Sequence, residues 1–336
     1  MQTVTIKDIA KALNLSTSTV SRALRGSHEI NIETRRLVLE YAEKLHYRPN
    51  PIALSLKENR SRAIGVIVPE IDNNFFSQAI NGIEAIAYNR GYHVMISQSQ
   101  ESYEREVINV SHMVARKVDG LLISLSGYTT DVSHLKEPYN NGLPLVFFDR
   151  FSDQIDTHTV ISDNFDGAFQ ATEHLILSGR MRIALITSIA WLSITQERMA
   201  GYKAALQKYG LPVDESLIRH CSSFQEEEVG ETMAKLFSLS PTPDALFVTS
   251  DRLTLSCLTL LKAQGVPIPQ QIAFVGFTDL KVAHLLAPAL TTVVQPAFEM
   301  GRTAAELLLD LIEQKTKPAS FRQIKLPTIL KIGNTA

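Results

Sequence analysis

Polar side chains recur at helical spacing near the amino terminus and could contact nucleic acid. Thr17, Ser18, Ser21 and Arg22 fall on one face of a predicted helix, whose apolar side chains fall on the opposite face. An arginine guanidinium can bond bidentately to the edge of guanine, and hydroxyl groups can reach bases or phosphates. The polar face of this helix therefore suits the major groove of DNA.

A preceding helix would position that face. Its apolar side chains recur at i, i+3, i+4 and i+7, at Ile6, Ile9, Ala10 and Leu13. Ser16 can cap the second helix, and Gly26 is expected to end it. Two short helices at this spacing are typical of a helix-turn-helix, although an ordinary helical pair in another small domain would show the same pattern.

The residues that follow favour the helix-turn-helix. Asn31 can cap a third helix, whose predicted apolar stripe is Leu37, Val38, Tyr41, Ala42 and Leu45. Together with the segment after it, this region resembles the lactose-repressor/galactose-repressor family of bacterial transcription regulators. The resemblance is carried by Val4-Thr5-Ile6, Asp8-Ile9-Ala10, Ser16, Thr19-Val20-Ser21-Arg22, Thr34-Arg35, Tyr47, Pro49-Asn50, Ala53 and Leu56. It extends over essentially the whole chain.

The resemblance implies a hinge helix after the third helix. It implies that Leu56 wedges into the minor groove at the centre of an operator and that Ala53 is small enough to let the duplex approach. Within the headpiece we predict that Thr17, Ser18 and Arg22 read bases. The other predicted DNA-binding residues, mainly candidates for phosphate or backbone contacts, are Thr5, Ser16, Thr19, Ser21, Thr34, Tyr47 and Asn50.

The composition is typical of a soluble globular protein with more than one domain. The 336 residues should form two or three folding units, with 45% hydrophobic and 20% charged residues. No apolar run reaches the roughly 18 residues of a membrane helix, and no signal peptide is recognisable, so we expect a cytoplasmic protein without a membrane partner. Cys221 and Cys257 are predicted to be buried small residues. Residues 1–62 carry a net charge of +5 and the remainder −7, which suits a head that meets phosphate.

From Ala63 onward, short apolar runs alternate with amphipathic stretches. The predicted strands are residues 64–68, 94–97, 120–124, 145–148, 183–187, 217–221, 245–249, 272–276, 290–295 and 323–331. Near-continuous apolar strands between helices predict parallel sheets covered on both faces. A polar stretch without periodicity at residues 151–159 suggests two such units in series, and the last strands and helix would let the chain cross back between them.

With the resemblance, these patterns predict an N-terminal all-α helix-turn-helix domain plus an α/β two-lobed, periplasmic-binding-protein-like core with parallel sheets. The headpiece is predicted at residues 1–46 and the hinge segment at residues 47–62. The first lobe is predicted at residues 63–161 with about 290–320. The second lobe is predicted at residues 162–289 with about 321–336.

Residues just after predicted strands could form a ligand site, because ligands of open parallel sheets bind beyond the carboxyl ends of strands. The candidates are Asn73, Phe75, Phe76, Asp149, Arg150, Trp191, Arg198, Asp251 and Asp279. Aromatic faces can stack on C–H groups while charged forks hold hydroxyls, so this set suits a polyhydroxylated ring such as a sugar. Simpler roles also exist: the phenylalanines could cap the core, the two later aspartates could cap helices, and Arg150 could form a surface ion pair.

The resemblance points most strongly to Arg198, which together with Gly201-Tyr202 forms a pattern that the family uses to hold sugar effectors. One position departs from the family. Many relatives carry an acid directly after the Gly-aromatic pair that ends a later strand, whereas here Gly276-Phe277 is followed by Thr278 and then Asp279. Either Asp279 takes that role or the effector presents a different group there. Two arginines in the cleft would also be compatible with a sugar acid.

These observations favour a sequence-specific transcriptional repressor switched by a small-molecule effector, a sugar or sugar derivative, that binds between the lobes. Because one helix-turn-helix offers few base contacts, we expect a homodimer on a palindromic operator. A sugar-binding transport component would use the same core, but the basic head argues against it. We find no phosphate-binding glycine loop, GxSxG elbow, HExxH helix or paired cysteines, so we predict no enzyme activity, metal or cofactor.

Overall fold

The computed structural model describes residues 4–24, 26–47, 60–280, 282–314, 318 and 320–336. The chain divides between Ser61 and Arg62 into two compact units. The first unit is the helical headpiece, and the second is the α/β core. Asn50, Ala53 and Leu56, on which the hinge prediction depends, lie outside the described residues.

The headpiece consists of three helices, α1 (Ile6–Ala12), α2 (Thr17–Leu24) and α3 (Ile32–Lys44). They enclose a small core of Ile9, Ala10, Val20, Ala23, Val38 and Ala42. The Asn31 side chain caps α3 by accepting from the Glu33 N–H at 2.9 Å. Gly26 has a φ of +73°, in the left-handed region that ends helices and favours glycine. Leu37, predicted to face inward, is instead 49% exposed, because Val38 takes the core position beside it.

The core alternates strands and helices. Its first part comprises β1 (Ala63–Val68), α4 (Asn74–Asn89), β2 (His93–Gln98), α5 (Tyr103–Ala115), β3 (Gly120–Ile123), α6 (Ser133–Asn140), β4 (Leu145–Phe148) and β5 (His158–Ser162). Its second part comprises α7 (Asn164–Leu177), β6 (Ile183–Thr187), α8 (Ser193–Lys208), β7 (Ile218–His220), α9 (Glu226–Phe237), β8 (Ala245–Val248), α10 (Asp251–Ala263), β9 (Ala273–Phe277) and β10 (Thr291–Val294). The chain ends with α11 (Ala297–Glu313), β11 (Gln323–Leu326) and β12 (Ile329–Lys331).

The strands form two six-stranded sheets, one in each lobe. The first sheet has the order β11-β5-β4-β3-β1-β2, and the second has the order β12-β10-β9-β8-β6-β7. All pairings are parallel except that of β10 with β12. Strands β1, β3, β4, β6, β8 and β9 are buried between helices, which explains their nearly continuous apolar sequences.

The chain crosses between the lobes after β5, after β10 and after β11. The prediction placed residues from about 290 onward in the first lobe. This was wrong for β10 (Thr291–Val294), which pairs with β9 in the second sheet. The predicted single strand at 323–331 is two strands, one in each sheet. Pro327, which has no backbone N–H for a ladder bond, lies between them.

Two elements escaped sequence reasoning. Strand β5 begins inside the predicted polar break, and its polar His158 and Thr159 are buried. The His158 Nδ1 accepts a hydrogen bond from the Arg322 N–H at 2.9 Å, so tertiary contacts offset the low apolar content of this strand. Helix α6 is short and contains Pro138, which weakens any helical signal.

Candidate functional site

The polar face of α2 is exposed on the headpiece, as its residue pattern predicted. Ser16 caps the helix by accepting from the Thr19 N–H at 3.0 Å, and its hydroxyl is 2.7 Å from that of Ser18. Thr17 and Ser18 are exposed, and the Arg22 guanidinium lies 3.3 Å from the Glu29 carboxylate with half of the side chain exposed. Arg22 can therefore turn from a solvated ion pair toward a partner at little cost.

The remaining predicted DNA-binding residues of the described headpiece surround this face or support it. Thr5 is exposed and caps α1, where its N–H and hydroxyl both donate to the Asp8 carboxylate at 2.8 and 2.7 Å. Thr19, Ser21, Thr34 and Tyr47 are half-buried. Burial raises the pKa of Tyr47, whose ring packs against the headpiece core. Tyr47 thus also has a structural role.

A small cavity lies between the two lobes, at the carboxyl ends of their strands. Its volume is about 60 Å³. Its walls include seven of the nine predicted ligand residues, namely Asn73, Phe75, Phe76, Asp149, Arg150, Arg198 and Asp251. The other side chains in the walls are Glu70, Glu101, Ser188, Ile194, Phe224, Ser250, Arg252, Phe277 and Gln295. Trp191 and Asp279 do not line the cavity.

The aromatic wall comes from the first turn of α4. Asn73 caps this helix by accepting from the Phe75 N–H at 2.9 Å, which holds the turn against the cavity. The rings of Phe75 and Phe76 meet edge to face with centroids 5.1 Å apart. Both side chains are buried in the core of the first lobe. They therefore fill the core and line the cavity at once, so the two roles considered for them coexist.

A charged cluster follows β4. Asp149 is buried with a φ of +62°, and Arg150 Nη1 donates to both Glu101 oxygens at 3.0 and 2.9 Å. Burial raises the pKa of Asp149. Burial disfavours the charged form of Arg150 and lowers its pKa. The negative charges of Glu101 and Asp149 have the larger effect, so the pKa of Arg150 is raised. Arg150 therefore contributes a guanidinium that is already paired, and the surface ion pair proposed for it is a buried one.

Arg198 reaches the cavity from α8 in the second lobe. Its Nε donates to Asn164 Oδ1 at 2.9 Å, and its Nη1 donates to the Thr249 carbonyl at the end of β8. The guanidinium carbon lies 3.8 Å from the centroid of the Phe277 ring. Burial lowers the pKa of Arg198 to about 10, so the side chain remains charged at neutral pH. These contacts hold the planar fork in one orientation.

The carboxylate of Asp251 is the acid that the second lobe presents to the cavity. Asp251 is the first residue of α10. Burial raises the pKa of Asp251, and this effect outweighs the Thr278 side chain and the charge of Arg198, which both lower it. Asp279 instead lies outside, with its carboxylate 3.8 Å from Lys331 Nζ and 3.3 Å from Gln78 Nε2. Many relatives have an acid at the position of Thr278. In this structure Asp279 does not take the place of that acid in the cavity.

Several contacts near the cavity join the two lobes. Arg252 Nη1 lies 2.6 Å from Glu70 Oε1, the Trp191 indole N–H donates to the Gly127 carbonyl at 3.1 Å, and the Tyr128 hydroxyl donates to the Ser222 carbonyl at 3.0 Å. A wider groove of about 870 Å³ lies outside, lined in part by Tyr128, Phe224 and Arg252. A ligand larger than the inner cavity must therefore separate these contacts to enter.

Comparison with known proteins assigns both units to one family. The profile of bacterial regulatory proteins of the lacI family matches residues 5–50, and the profile of periplasmic binding proteins and sugar binding domain of the LacI family matches residues 61–332. The chain belongs to the LacI family. It is a transcriptional repressor of this family, with a DNA-binding domain and a ligand-binding domain.

LacI-family relatives match almost the full chain. The HTH-type transcriptional repressor CytR of Escherichia coli (strain K12) is 35% identical over 331 residues, which cover 98% of this chain and 96% of that protein. Catabolite control protein A of Priestia megaterium is 31% identical over 322 residues, which cover 96% of each chain. Because the homologues of this LacI-family chain are transcriptional repressors and not enzymes, the prediction that it is not an enzyme is confirmed.

Solved LacI-family structures share the whole architecture. A lac repressor dimer bound to operator and the anti-inducer ONPF superimposes with a TM-score of 0.85 at 25% identity, covering 99% of each chain. The transcriptional regulator CelR in complex with cellobiose gives 0.74 at 28% identity, covering 99% of this chain and 100% of that one. The predicted fold class is thus confirmed.

Among the described residues of this LacI-family chain, no helix is both long and apolar enough to cross a membrane. The same part of the chain contains no group of three or more His, Cys, Asp and Glu side chains that could hold a metal ion. Cys221 and Cys257 are free and buried, as the sequence predicted.

Trp191 is expected to report ligand entry. It is the only tryptophan in the sequence, and its indole N–H bonds to Gly127 of the opposite lobe. A compound that separates the lobes should break this bond and shift the tryptophan emission to longer wavelength as the indole becomes more hydrated. The measurement is a fluorescence titration with sugars, with Trp191→Phe as the control that loses the signal but still binds by calorimetry. Calorimetric binding without any emission change in the native chain would contradict this expectation.

Proposed function

We propose that this protein acts as a homodimer that binds a palindromic operator in the bacterial cytoplasm, and that a sugar or sugar derivative bound between the lobes changes its operator affinity. The observation that carries the proposal is the cavity itself, which combines an aromatic wall with oriented Asp149, Arg150, Arg198 and Asp251 side chains at the junction of two sheets. Among the relatives, the CelR structure contains cellobiose, and the lac repressor structure is a dimer on operator.

DNA recognition is assigned to the face of α2, with Thr17, Ser18 and Arg22 reading bases. The hinge segment, residues 47–62, is assigned the contact with the minor groove, where Leu56 would act as the wedge. Two headpieces on one palindrome double the interface and therefore supply both affinity and specificity that one small head lacks.

Effector binding is assigned to the cavity and is coupled to DNA through the lobes. A ligand that enters must replace the Glu70–Arg252 ion pair and the contacts from Gly127 and Tyr128 to the second lobe. It then stabilises a different separation of the lobes, which would alter the distance between the two hinge segments of the dimer. An effector can shift this equilibrium only by its difference in affinity for the two lobe arrangements.

The test is a fluorescence-anisotropy titration of the full chain on palindromic duplexes with a central CG step and on random duplexes. The salt concentration must be fixed, because phosphate contacts dominate the affinity. We expect tighter binding to one palindrome than to random DNA, and a change in that affinity with a sugar such as D-ribose, D-glucose or cellobiose. Equal affinity for all duplexes would refute the operator assignment even if a sugar binds the core.

Arg22→Ala is expected to relax specificity at one base pair of each half-site. Loss of a bidentate contact to guanine costs on the order of 1–3 kcal/mol, whereas loss of a phosphate contact weakens binding to all sequences alike. The measurement compares operator variants substituted at single positions. Arg36→Ala is the matched control. Arg36 is also an exposed arginine in an ion pair, with Glu40, but both residues lie on α3 and not on α2. An equal loss on operator and random DNA in Arg22→Ala would show that Arg22 does not read a base.

A further inference from the structure

A β-turn of the first lobe, called here the bridging turn (residues 126–129), faces the second lobe. The N–H of its last residue closes it by donating to the carbonyl of its first residue at 3.1 Å. Its two middle residues, Gly127 and Tyr128, form the hydrogen bonds to the second lobe described above. A Cβ on Gly127 would lie only 2.7 Å from Ile189 Cδ1 of the second lobe, so the two surfaces are in close contact. The conformation of this turn therefore decides whether the two bonds can form.

One buried carboxylate outside the cavity holds the bridging turn. Glu106 lies on α5, is fully buried and is not among the residues that line the inner cavity. Its Oε2 accepts from the Ser126 N–H at 2.6 Å, and its Oε1 accepts from the Thr129 hydroxyl at 3.0 Å. The same Oε1 lies 2.9 Å from His134 Nε2. Glu106 thus fixes both ends of the turn and satisfies a buried N–H that would otherwise have no partner.

The loop that meets Tyr128 is held in the same way within the second lobe. Glu228 on α9 accepts from the N–H groups of Ser222 and Ser223 at 2.9 and 2.8 Å, and from their hydroxyls at 3.2 and 2.7 Å. These bonds fix the backbone whose Ser222 carbonyl accepts from the Tyr128 hydroxyl. Two loops that are each ordered by one carboxylate lose little conformational entropy when they meet.

The bridging turn is one part of the junction between the lobes. Elsewhere Asn74 Nδ2 donates to the Asp279 carbonyl at 2.5 Å, and Gln78 Nε2 donates to the Asp279 carboxylate at 3.3 Å. Weakening the turn should therefore shift the equilibrium between joined and separated lobes without releasing them. A ligand that must separate the lobes then has fewer contacts to replace, and it binds more tightly.

We propose that Glu106 is a positioning residue of this junction, which holds the bridging turn so that Gly127 and Tyr128 bind the second lobe and keep the lobes joined. Glu106 acts through the turn, because it lies outside the cavity. The consequence for the effector rests on the proposed function: Glu106 sets the effector concentration at which the repressor responds, whereas the cavity residues set which compound binds.

The first measurement is acrylamide quenching of Trp191 fluorescence in the full chain without added sugar. Glu106→Leu removes the acceptor of the Ser126 N–H and should raise the quenching constant, because the displaced Gly127 carbonyl no longer holds the indole. Glu106→Gln keeps an acceptor for that N–H and presents an NH₂ group to the Thr129 hydroxyl, which can accept, so it should restore the native value. A native quenching constant in Glu106→Leu would overturn the inference.

Two tyrosine variants separate the turn from its surroundings. Tyr128→Phe removes one hydroxyl from a side chain that is 43% exposed, so it should fold normally and raise the quenching constant less than Glu106→Leu. Tyr103→Phe is the matched control, because the Tyr103 hydroxyl donates to Asp131 at 3.3 Å within the first lobe, and it should quench like the native chain. Thermal unfolding of each variant checks that it folds.

The double variant distinguishes a positioning role from a merely structural one. If Glu106 acts through the bridging turn, Tyr128→Phe should add nothing to the quenching constant of Glu106→Leu, because the turn is already displaced. Additive effects of the two substitutions would show that Glu106 does not act through Tyr128 and would contradict the proposal.

The second measurement is calorimetric binding of D-ribose, D-glucose and cellobiose. For the sugar that the native chain binds most tightly, we expect an affinity higher by about threefold in Tyr128→Phe and about tenfold in Glu106→Leu, as for the loss of one and of two hydrogen bonds. Unchanged or weaker affinity in both variants would refute the role of Glu106 in setting the response. Binding by none of the sugars would refute the sugar-effector proposal, whereas the quenching results would still decide whether Glu106 keeps the lobes joined.

Discussion

Arg198→Leu is expected to abolish the influence of the effector on operator binding while operator binding itself persists. Arg198 is the cavity residue whose fork is fixed on three sides, by Asn164, by the Thr249 carbonyl and by the Phe277 ring. Truncating one partner of a buried, hydrogen-bonded charge contact costs about 2–5 kcal/mol, which corresponds to an effector affinity lower by about 30-fold to several thousandfold. The headpiece is a separate compact unit, so the face of α2 that is proposed to read DNA is unchanged.

Two further variants make this result interpretable. Arg198→Lys keeps a positive charge but loses the planar fork, so it should also lose most of the response, since lysine cannot reproduce contacts in several fixed directions. Arg182→Leu removes an arginine of the same lobe that pairs with Asp214 at 3.0 Å outside the cavity, and it should respond like the native chain. The readout is operator anisotropy with and without the sugar. A native response in Arg198→Leu would exclude Arg198 from the effector site.

The residues that sequence reasoning placed correctly in the cavity follow directly from sheet geometry. Asn73, Asp149 and Asp251 each come shortly after an apolar strand. The carboxyl ends of parallel strands lie at the same edge of their sheet, so the residues that follow them lie close together. The strand signal is strong for β1, β4 and β8 because these strands are buried on both faces. Position after a strand is therefore enough to predict that such residues meet.

Two of the cavity residues that were missed, Glu101 and Phe224, come from loops without a sequence signal. Glu101 and Phe224 both have positive φ angles, 55° and 59°, which non-glycine residues rarely adopt. Such backbone turns are imposed by tertiary contacts, here the bonds from Arg150 and Gly127 to the Glu101 carboxylate. Loop composition suggested a ligand contact for Trp191, but its indole does not line the cavity; it is 53% exposed and bonds across the lobes.

Gly301→Ala is expected to be the most destabilising of the conservative changes available in the first lobe. Helices α4 and α11 cross so closely that a Cβ on Gly301 would lie 1.9 Å from the Ala79 carbonyl oxygen. A Cβ on Gly82, on the facing helix, would lie 2.0 Å from the Phe298 carbonyl oxygen. In each case the obstacle is backbone, so the helices must move apart and loosen the core that contains Ile83, Met300 and Leu308. Overpacking of this kind costs about 3 kcal/mol, at the upper end of the usual range.

The same substitution elsewhere in the core should have the opposite sign, and this makes Gly230→Ala the matched control for Gly301→Ala. Gly230 lies within α9, and a Cβ there would meet no atom within 4 Å. Alanine is favoured over glycine in a helix interior by up to about 1 kcal/mol, so Gly230→Ala should be neutral or stabilising. Denaturant unfolding of both variants measures the difference directly. If Gly301→Ala unfolds within about 0.5 kcal/mol of the native chain, as ordinary surface changes do, the close crossing of α4 and α11 does not constrain the fold.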